Sequence, residues 1–545
     1  MDAKPNTPFV SLDVNTYGSL ENVRKPRIAI IGAGVSGLAA IKQCLADDLD
    51  PVCFEQDSAI GGQWRYVEVD EKNPDPHSSM YKSAITNTSR IATCFSDFPI
   101  PNNWPTYLPH KLIRQYLESY AENFDLYPYI NLNTKVIKVS QLSNNCWKVK
   151  YQKLQQSNET ITTSNTDSDM NEEEFDYVII CTGKDSAGWI PNYNGRDTFG
   201  GKQMHSHLYR TPKPFENKRI VVVGVGNSGV EIACELSNFT SQVYLCSRDG
   251  CMPWILPRRL LHGQPADHTL KRINSYFPVK IQNYMFESII NKISGQPPPE
   301  LRPRTSFFSS ICVLCSEFPE RLDTGTIVLK TNIRELKPNR EIELIDGTTL
   351  TDIDVVIYAT GYSLELPFLE NWRQILYGGI DFSEDVQGSD SENWHTTWLY
   401  KMIFPPRYQN IAFIGAIYPF GSYLPTSEMQ ARYITGLIKG EIKSLPSPEE
   451  MDKAISSCTD CPRRENSKYP SIRAPLIPYL DCLAKDIGCL PTPIKVWWNF
   501  GYKAWKNVLF GVPTSVQYRL FGRQTWAGAL EWLDVHNGGK FTTFD

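Results

Sequence analysis

Hydrophobic and polar positions along this 545-residue chain follow two alternating patterns. An apolar run at residues 28–31 breaks at glycine, apolar positions then recur three and four apart over residues 35–45, and a second short apolar run ends at Phe54. A short apolar run bounded by glycine predicts a buried strand, and the helical spacing predicts a helix, so the stretch reads as strand, helix, strand. The same succession recurs over residues 220–246. Two further runs, "FDYVIICTG" and "DIDVVIYATGY", read as central strands ending in the turns Thr182-Gly183 and Thr360-Gly361. Residues 408–427 carry no charge, but Gly415, Pro419, Gly421 and Pro425 interrupt them, which predicts a strand and a loop and not a membrane span.

Both repeats carry G-x-G-x-x-G at the turn from strand to helix: Gly32, Gly34 and Gly37 in the first, Gly224, Gly226 and Gly229 in the second. Such glycines give a tight turn, close approach of backbone to a pyrophosphate, and close packing of helix on strand. The helix N-terminus adds partial positive charge. Ala33, Val35 and Ser36 complete the first cradle, and Asn227 and Ser228 the second. The second strands end differently. The first ends at Glu55, a carboxylate suited to ribose hydroxyls; the second ends at Ser247 and Arg248, where a guanidinium accepts a 2′-phosphate. One cradle for FAD and one for NADPH describe a flavoprotein oxidoreductase. Gly62, Gln63 and Trp64 in "DSAIGGQWRY" suit a planar cofactor lying close to backbone.

The fold expected is α/β, with two Rossmann-like dinucleotide-binding domains, the NADPH domain inserted in the FAD domain. Residues 1–190 and 331–445 are expected to form the FAD domain, 191–330 the NADPH domain, and 446–545 an extension packing on the FAD domain.

Composition narrows the partners. Lys and Arg number 55 against 60 Asp and Glu, a formal charge of −5, and no long basic run is present, which argues against nucleic acid. The 14 cysteines are spread through apolar runs, as suits a reducing compartment. The pairs Cys312/Cys315 and Cys458/Cys461 lack the paired-knuckle spacing of a zinc site, so no metal is expected. The polar N-terminus reads as a leader to the first strand. The acidic stretch 158–174 reads as a loop. The aromatic, lysine-bearing stretch 494–511 reads as a helix packing on its own protein, with a membrane interface as the alternative.

Between the two repeats lies "TFGGKQMHSHLYR", which sets Phe199, Gly201, His205 and Tyr209 in the spacing F-x-G-x-x-x-H-x-x-x-Y. This stretch resembles the identifying sequence of the flavin-containing monooxygenases, and "GAGVSGLAA", "IGGQWRY", "TNTSRIATCFSDFPIP", "GVGNSG", "YATGYSLELPFLE" and "GSYLPTSEMQAR" follow that family in order. The resemblance implies NADPH- and O2-dependent oxygenation of a soft nucleophile, an amine nitrogen or a sulfide, through a C4a-hydroperoxyflavin. It implies a catalytic role for Asn87 and for Tyr209, and cofactor contacts at Thr86, Asn87, Thr88, His205, Thr360, Gly361 and Gln430. His205 is expected to tie the two domains together. A Baeyer–Villiger monooxygenase acting on ketones is the nearest alternative, although its identifying stretch ends in tryptophan where this one has Tyr209; an uncoupled NADPH oxidase or a plain FAD-binding protein is another. Disulfide reductases need a redox cysteine pair soon after the first cradle, and residues 60–69 hold none. The microsomal members end in a hydrophobic anchor and this chain ends in polar residues, so the expected location is the cytoplasm, with peripheral contact at the endoplasmic reticulum as the alternative. A homodimer is compatible with the sequence.

Overall fold

The computed structural model describes residues 24–71, 73–154, 170–248, 250–260, 263–295, 297–309, 312–379, 396–463 and 471–538. They fall into two compact units. The first takes the chain up to residue 65, residues 88–184 and everything from 364 on; the second takes 66–87 and 185–363. Each is built on a five-stranded parallel sheet. In chain order the ten strands are β1 (Arg27–Ile31), β2 (Asp50–Phe54), β3 (Ile130–Asn131), β4 (Tyr177–Ile180), β5 (Lys202–His205), β6 (Arg219–Val223), β7 (Gln242–Cys246), β8 (Ile327–Lys330), β9 (Val355–Tyr358) and β10 (Ile411–Phe413).

The first sheet runs β10-β4-β1-β2-β3. The helix α1 (Val35–Ala46) follows β1 and packs against α2 (Tyr423–Ile438), which is buried from Leu424 to Ile438. So complete a burial of a helix with polar residues requires partners for them. Glu428 has them: Ser96 donates from its backbone at 2.7 Å, and Arg519 Nη2 stands 2.5 Å away. Burial alone would raise this carboxyl, but Arg519, Lys42, Arg432 and the Ser96 hydroxyl bring it down to about 2. Residues 446–463 and 471–538 fall in this unit, and the helix Leu476–Ile487 lies on α2.

The second sheet runs β8-β7-β6-β9-β5. The helix α3 (Asn227–Leu236) joins β6 to β7. Here the expected boundaries move. Residues 331–363 belong with the second unit, because the fully buried β9 pairs in parallel with β6 on one side and β5 on the other. Residues 66–87 join it too.

Three local expectations also change or sharpen. Residues 170–174 do not form a loop: Met170–Phe175 is the edge strand of an antiparallel sheet, held by the lysine-bearing strand Trp147–Lys153, with Lys148 Nζ reaching diagonally to Glu172 at 3.2 Å. Residues 158–169 lie outside the described residues, as do the expected leader at residues 1–23 and the chain's end at 539–545. Residues 408–427 give β10, the short strand Tyr418–Phe420 and the start of α2. The aromatic stretch forms helix Pro493–Phe510, broken at Gly501 (φ 78°). Val496, Ala504 and Val508 pack on the protein as expected, while Ile494 (73% exposed) and Trp498 (82%) face outward.

Candidate nucleotide cradles and the Asn87 cluster

Each glycine motif separates into packing and open positions. In the first unit, Gly32 (φ +100°) has no room for a side chain, since a Cβ would stand 2.7 Å from the Cys181 carbonyl oxygen. At Gly37 a Cβ would fall 1.9 Å from the Gly32 oxygen, so this glycine lets α1 close onto its own turn. A Cβ at Gly34 would meet only the backbone of Gly62, at van der Waals distance, and the Gly61 N–H donates to the Ala33 oxygen at 3.1 Å. The "IGGQWRY" turn therefore lies against the first cradle, bringing Gly62, Gln63 and Trp64 beside it, with Trp64 packed on the core. Gly34 caps α1 without any side-chain hydrogen bond, which leaves first-turn N–H groups for a ligand.

Glu55 is 7% exposed, and its carboxylate takes the N–H of Ala33 at 2.7 Å and of Asp57 at 2.9 Å. Burial raises its carboxyl above the ordinary range, against those two hydrogen bonds. Its oxygens retain lone pairs for ribose hydroxyls, and these residues fit the adenosine end of FAD. Ser36 bonds Ser427 through the hydroxyls at 3.1 Å, and Thr88 bonds Thr93 at 2.7 Å. Gln430 does not fit a cofactor contact. It is fully buried, its Oε1 accepts from the Gly415 N–H at 2.9 Å and its Nε2 donates to the Tyr479 hydroxyl at 2.8 Å, so both ends of the amide serve the fold.

The second unit repeats the plan. At Gly229 a Cβ would lie 1.9 Å from the Gly224 oxygen, and at Gly224 (φ +111°) it would lie 2.3 Å from the Ala359 oxygen. At Gly226 nothing lies within 4 Å, and α3 also begins without a side-chain cap. Asn227 accepts the Leu314 N–H at 3.3 Å, and Ser228 is exposed. At the end of β7, the Ser247 hydroxyl is buried without a hydrogen-bond partner and Arg248 is exposed beside it. A buried hydroxyl in that state, next to a guanidinium, fits a phosphate. Thr360 donates its hydroxyl to the Trp189 carbonyl, and the Gly361 oxygen accepts the Trp189 N–H at 2.9 Å.

The stretch 199–209 lies wholly in the second unit, and its residues brace that unit. Phe199 packs in a core cluster under the sheet, and Gly201 has no space for a Cβ, which would meet the Ile353 oxygen at 2.7 Å. His205 ends β5. Its Nδ1 accepts the His207 N–H at 3.0 Å, so Nε2 carries the proton and donates to the Gly361 oxygen at 3.0 Å. Burial, with the nearby His207 acting the same way, lowers its pKa to about 4, so the ring is neutral near pH 7. Both hydrogen bonds stay within the second unit and occupy both ring nitrogens, so the expected tie between domains is not made by this ring. Tyr209 is fully buried, with its hydroxyl donating to Glu235 at 2.7 Å, a packing contact inside the second unit.

Asn87 stands in a cluster that sequence reading did not find. Arg258 Nη2 donates to Asn87 Oδ1 at 3.1 Å and also to Glu231 on α3, and the Tyr81 hydroxyl donates to the other oxygen of Glu231. Thr86, next to Asn87, is buried. The acid two residues past Gly229 is the signal that could have pointed here. Among the described residues no group of His, Cys, Asp and Glu could hold a metal, and no helix is long and apolar enough to cross a membrane.

The family model "Flavin-binding monooxygenase-like" matches residues 25–534. Flavin-containing monooxygenase 5 of Mus musculus is 34% identical over 521 residues, 93% of this chain and 91% of that protein. Dimethylaniline monooxygenase [N-oxide-forming] 2 of Oryctolagus cuniculus is 36% identical over 523 residues, 92% and 90% of the two chains. Among solved structures, S-allyl-L-cysteine S-oxygenase from Allium sativum shares the fold with a TM-score of 0.58 and 24% identity, over 85% of this chain and 89% of that one. Cyclohexanone monooxygenase from Rhodococcus sp. Phi1 bound to NADP+ does so with a TM-score of 0.58 and 18% identity, over 85% and 97%.

Proposed function

The chain belongs to the flavin-binding monooxygenase-like family, and from that premise we propose how its own residues serve the reaction. It is an NADPH- and O2-dependent flavin monooxygenase that acts on soft nucleophiles, amine nitrogen or sulfide sulfur. FAD, when bound, supplies the electron transfer and the oxygen activation.

The first unit's cradle takes FAD. The uncapped N-terminus of α1 holds its pyrophosphate, and Glu55 its ribose. The second unit's cradle takes NADPH, with Gly226 leaving room for the pyrophosphate and Ser247 and Arg248 holding the 2′-phosphate. Asn87 offers an amide N–H where oxygen reacts. A nucleophilic substrate needs no nucleophile from the protein, which agrees with a site built of glycines, an amide and paired charges. The observation that carries this reading is the pairing of two glycine cradles whose second strands end in Glu55 and in Ser247-Arg248.

Incubation of the FAD-loaded protein with NADPH and N,N-dimethylaniline, a dialkyl sulfide or a cyclic ketone tests it. N-oxide or sulfoxide in step with NADPH consumed supports the proposal; lactone alone would assign Baeyer–Villiger chemistry instead. A cytoplasmic location, with peripheral membrane contact through the outward face of Pro493–Phe510 as the alternative, and a homodimer belong to the proposal too, tested by fractionation and sedimentation.

A further inference from the structure

Asn87 and Arg258 are far apart in sequence and meet through one hydrogen bond, 3.1 Å from Nη2 to Oδ1. An asparagine amide can present either its oxygen or its nitrogen to a neighbour, because the two ends have nearly the same shape. A guanidinium has donors only. Asn87 can therefore face Arg258 only with Oδ1, and its two N–H donors are turned away from that contact.

Arg258 is itself held. Its backbone N–H donates to the Ser316 hydroxyl at 3.2 Å, its carbonyl accepts the Ala266 N–H at 2.9 Å, and its guanidinium pairs with Glu231. Glu231 sits on α3, the helix whose first turn opens the NADPH cradle. Its other oxygen takes the Tyr81 hydroxyl, and the Tyr81 ring lies 5.9 Å from the Tyr209 ring in the unit's core. Burial raises the Glu231 carboxyl, which Arg258 and Tyr81 counteract. Removing the guanidinium alone would thus leave a buried carboxylate without its cation.

We propose that Arg258, held by Glu231, is a positioning residue that fixes the amide of Asn87 with its N–H donors available for the oxygen chemistry. The inference rests on the proposed role of Asn87. Neither Arg258 nor Glu231 touches a reacting atom; both act through the asparagine. The Glu231–Arg258 pair also makes α3 the support of Asn87, so the nucleotide helix and the amide share one framework.

The test uses the FAD-loaded enzyme with NADPH and a saturating sulfide, and reads hydrogen peroxide released per NADPH oxidised. Four forms are compared: wild type, Asn87→Ala, Arg258→Met/Glu231→Met, and all three substitutions together. The paired change removes both charges, so that no buried ion is left alone. FAD content and the NADP+ dissociation constant check that both cradles survive. The expected result is a several-fold rise in peroxide fraction for Arg258→Met/Glu231→Met, close to that of Asn87→Ala, with no further rise in the triple variant. A wild-type peroxide fraction in Arg258→Met/Glu231→Met beside a high one in Asn87→Ala would overturn the positioning role. A wild-type fraction in Asn87→Ala would overturn the role of Asn87 and this proposal with it.

A second readout is independent of turnover. In cofactor-free protein, Arg258→Met/Glu231→Met and Asn87→Ala should lower Tm non-additively, the triple variant melting about 2 °C or more above the additive expectation. Strict additivity would show that no bond of consequence joins Arg258 to Asn87.

Discussion

The hydroxyl of Tyr209 donates to Glu235 at 2.7 Å, while the Tyr81 hydroxyl donates to Glu231, one helical turn earlier on α3. Two tyrosines from outside the helix thus clamp one face of the NADPH-side helix through carboxylates four residues apart. The conspicuous tyrosine of the 199–209 stretch is therefore a brace. Tyr209→Phe should cost about 1–3 kcal/mol, since Glu235 loses its donor, and leave oxygenation per folded molecule unchanged. Urea unfolding beside product assays checks this; a large loss of turnover with unchanged stability would return Tyr209 to the chemistry.

His205 predicts a pH dependence. Its folded pKa is depressed to about 4 against 6.5 for an unperturbed ring, so the unfolded chain takes up a proton that the folded one refuses. Stability from this residue is full above pH 6.5 and is lost as pH falls toward 4, by about 3 kcal/mol at the limit. His205→Gln should flatten that slope, seen in urea midpoints at pH 7 and pH 5. An unchanged slope would mean that the ring is not held neutral.

Gly226 and Gly229 separate two uses of glycine. Gly229→Ala forces a Cβ into the Gly224 oxygen and should destabilise the unit; Gly226→Ala meets no protein atom and should leave the melting temperature of NADPH-free enzyme nearly unchanged. The same Gly226→Ala should raise KM for NADPH about tenfold, because the methyl stands where the pyrophosphate approaches. Normal NADPH kinetics in that variant would remove the cradle.

Arg248→Ala should raise KM for NADPH by about 10- to 100-fold and leave that for NADH unchanged, since only NADPH carries the 2′-phosphate. Steady-state kinetics with both nucleotides decides it, and an equal loss for the two would take Arg248 out of that role.

The two strand–helix–strand units were legible because each pairs a buried apolar strand with a glycine turn whose steric demand is local. Glu55 and Gly37 could be placed from spacing alone. The boundary near 330 was not legible: β4 and β9 are both apolar runs followed by Thr-Gly, and only long-range pairing assigns β9 to the second sheet. The strand at 170–175 was hidden for a related reason, since an acidic edge is stabilised by lysines across the ladder and not by its own hydrophobicity. Gln430 shows the limit of motif transfer, because its segment matches while its amide is spent on Gly415 and Tyr479. The Arg258–Asn87 contact has no local signature.

The central claim is that electrons from NADPH lead one oxygen atom of O2 into an amine or sulfide. Oxidation of a tertiary amine under 18O2, with FAD-loaded enzyme and NADPH, reads this directly by product mass. One 18O atom is expected in each N-oxide, and one N-oxide for each NADPH. Unlabelled amine recovered with hydrogen peroxide equimolar to NADPH would contradict it.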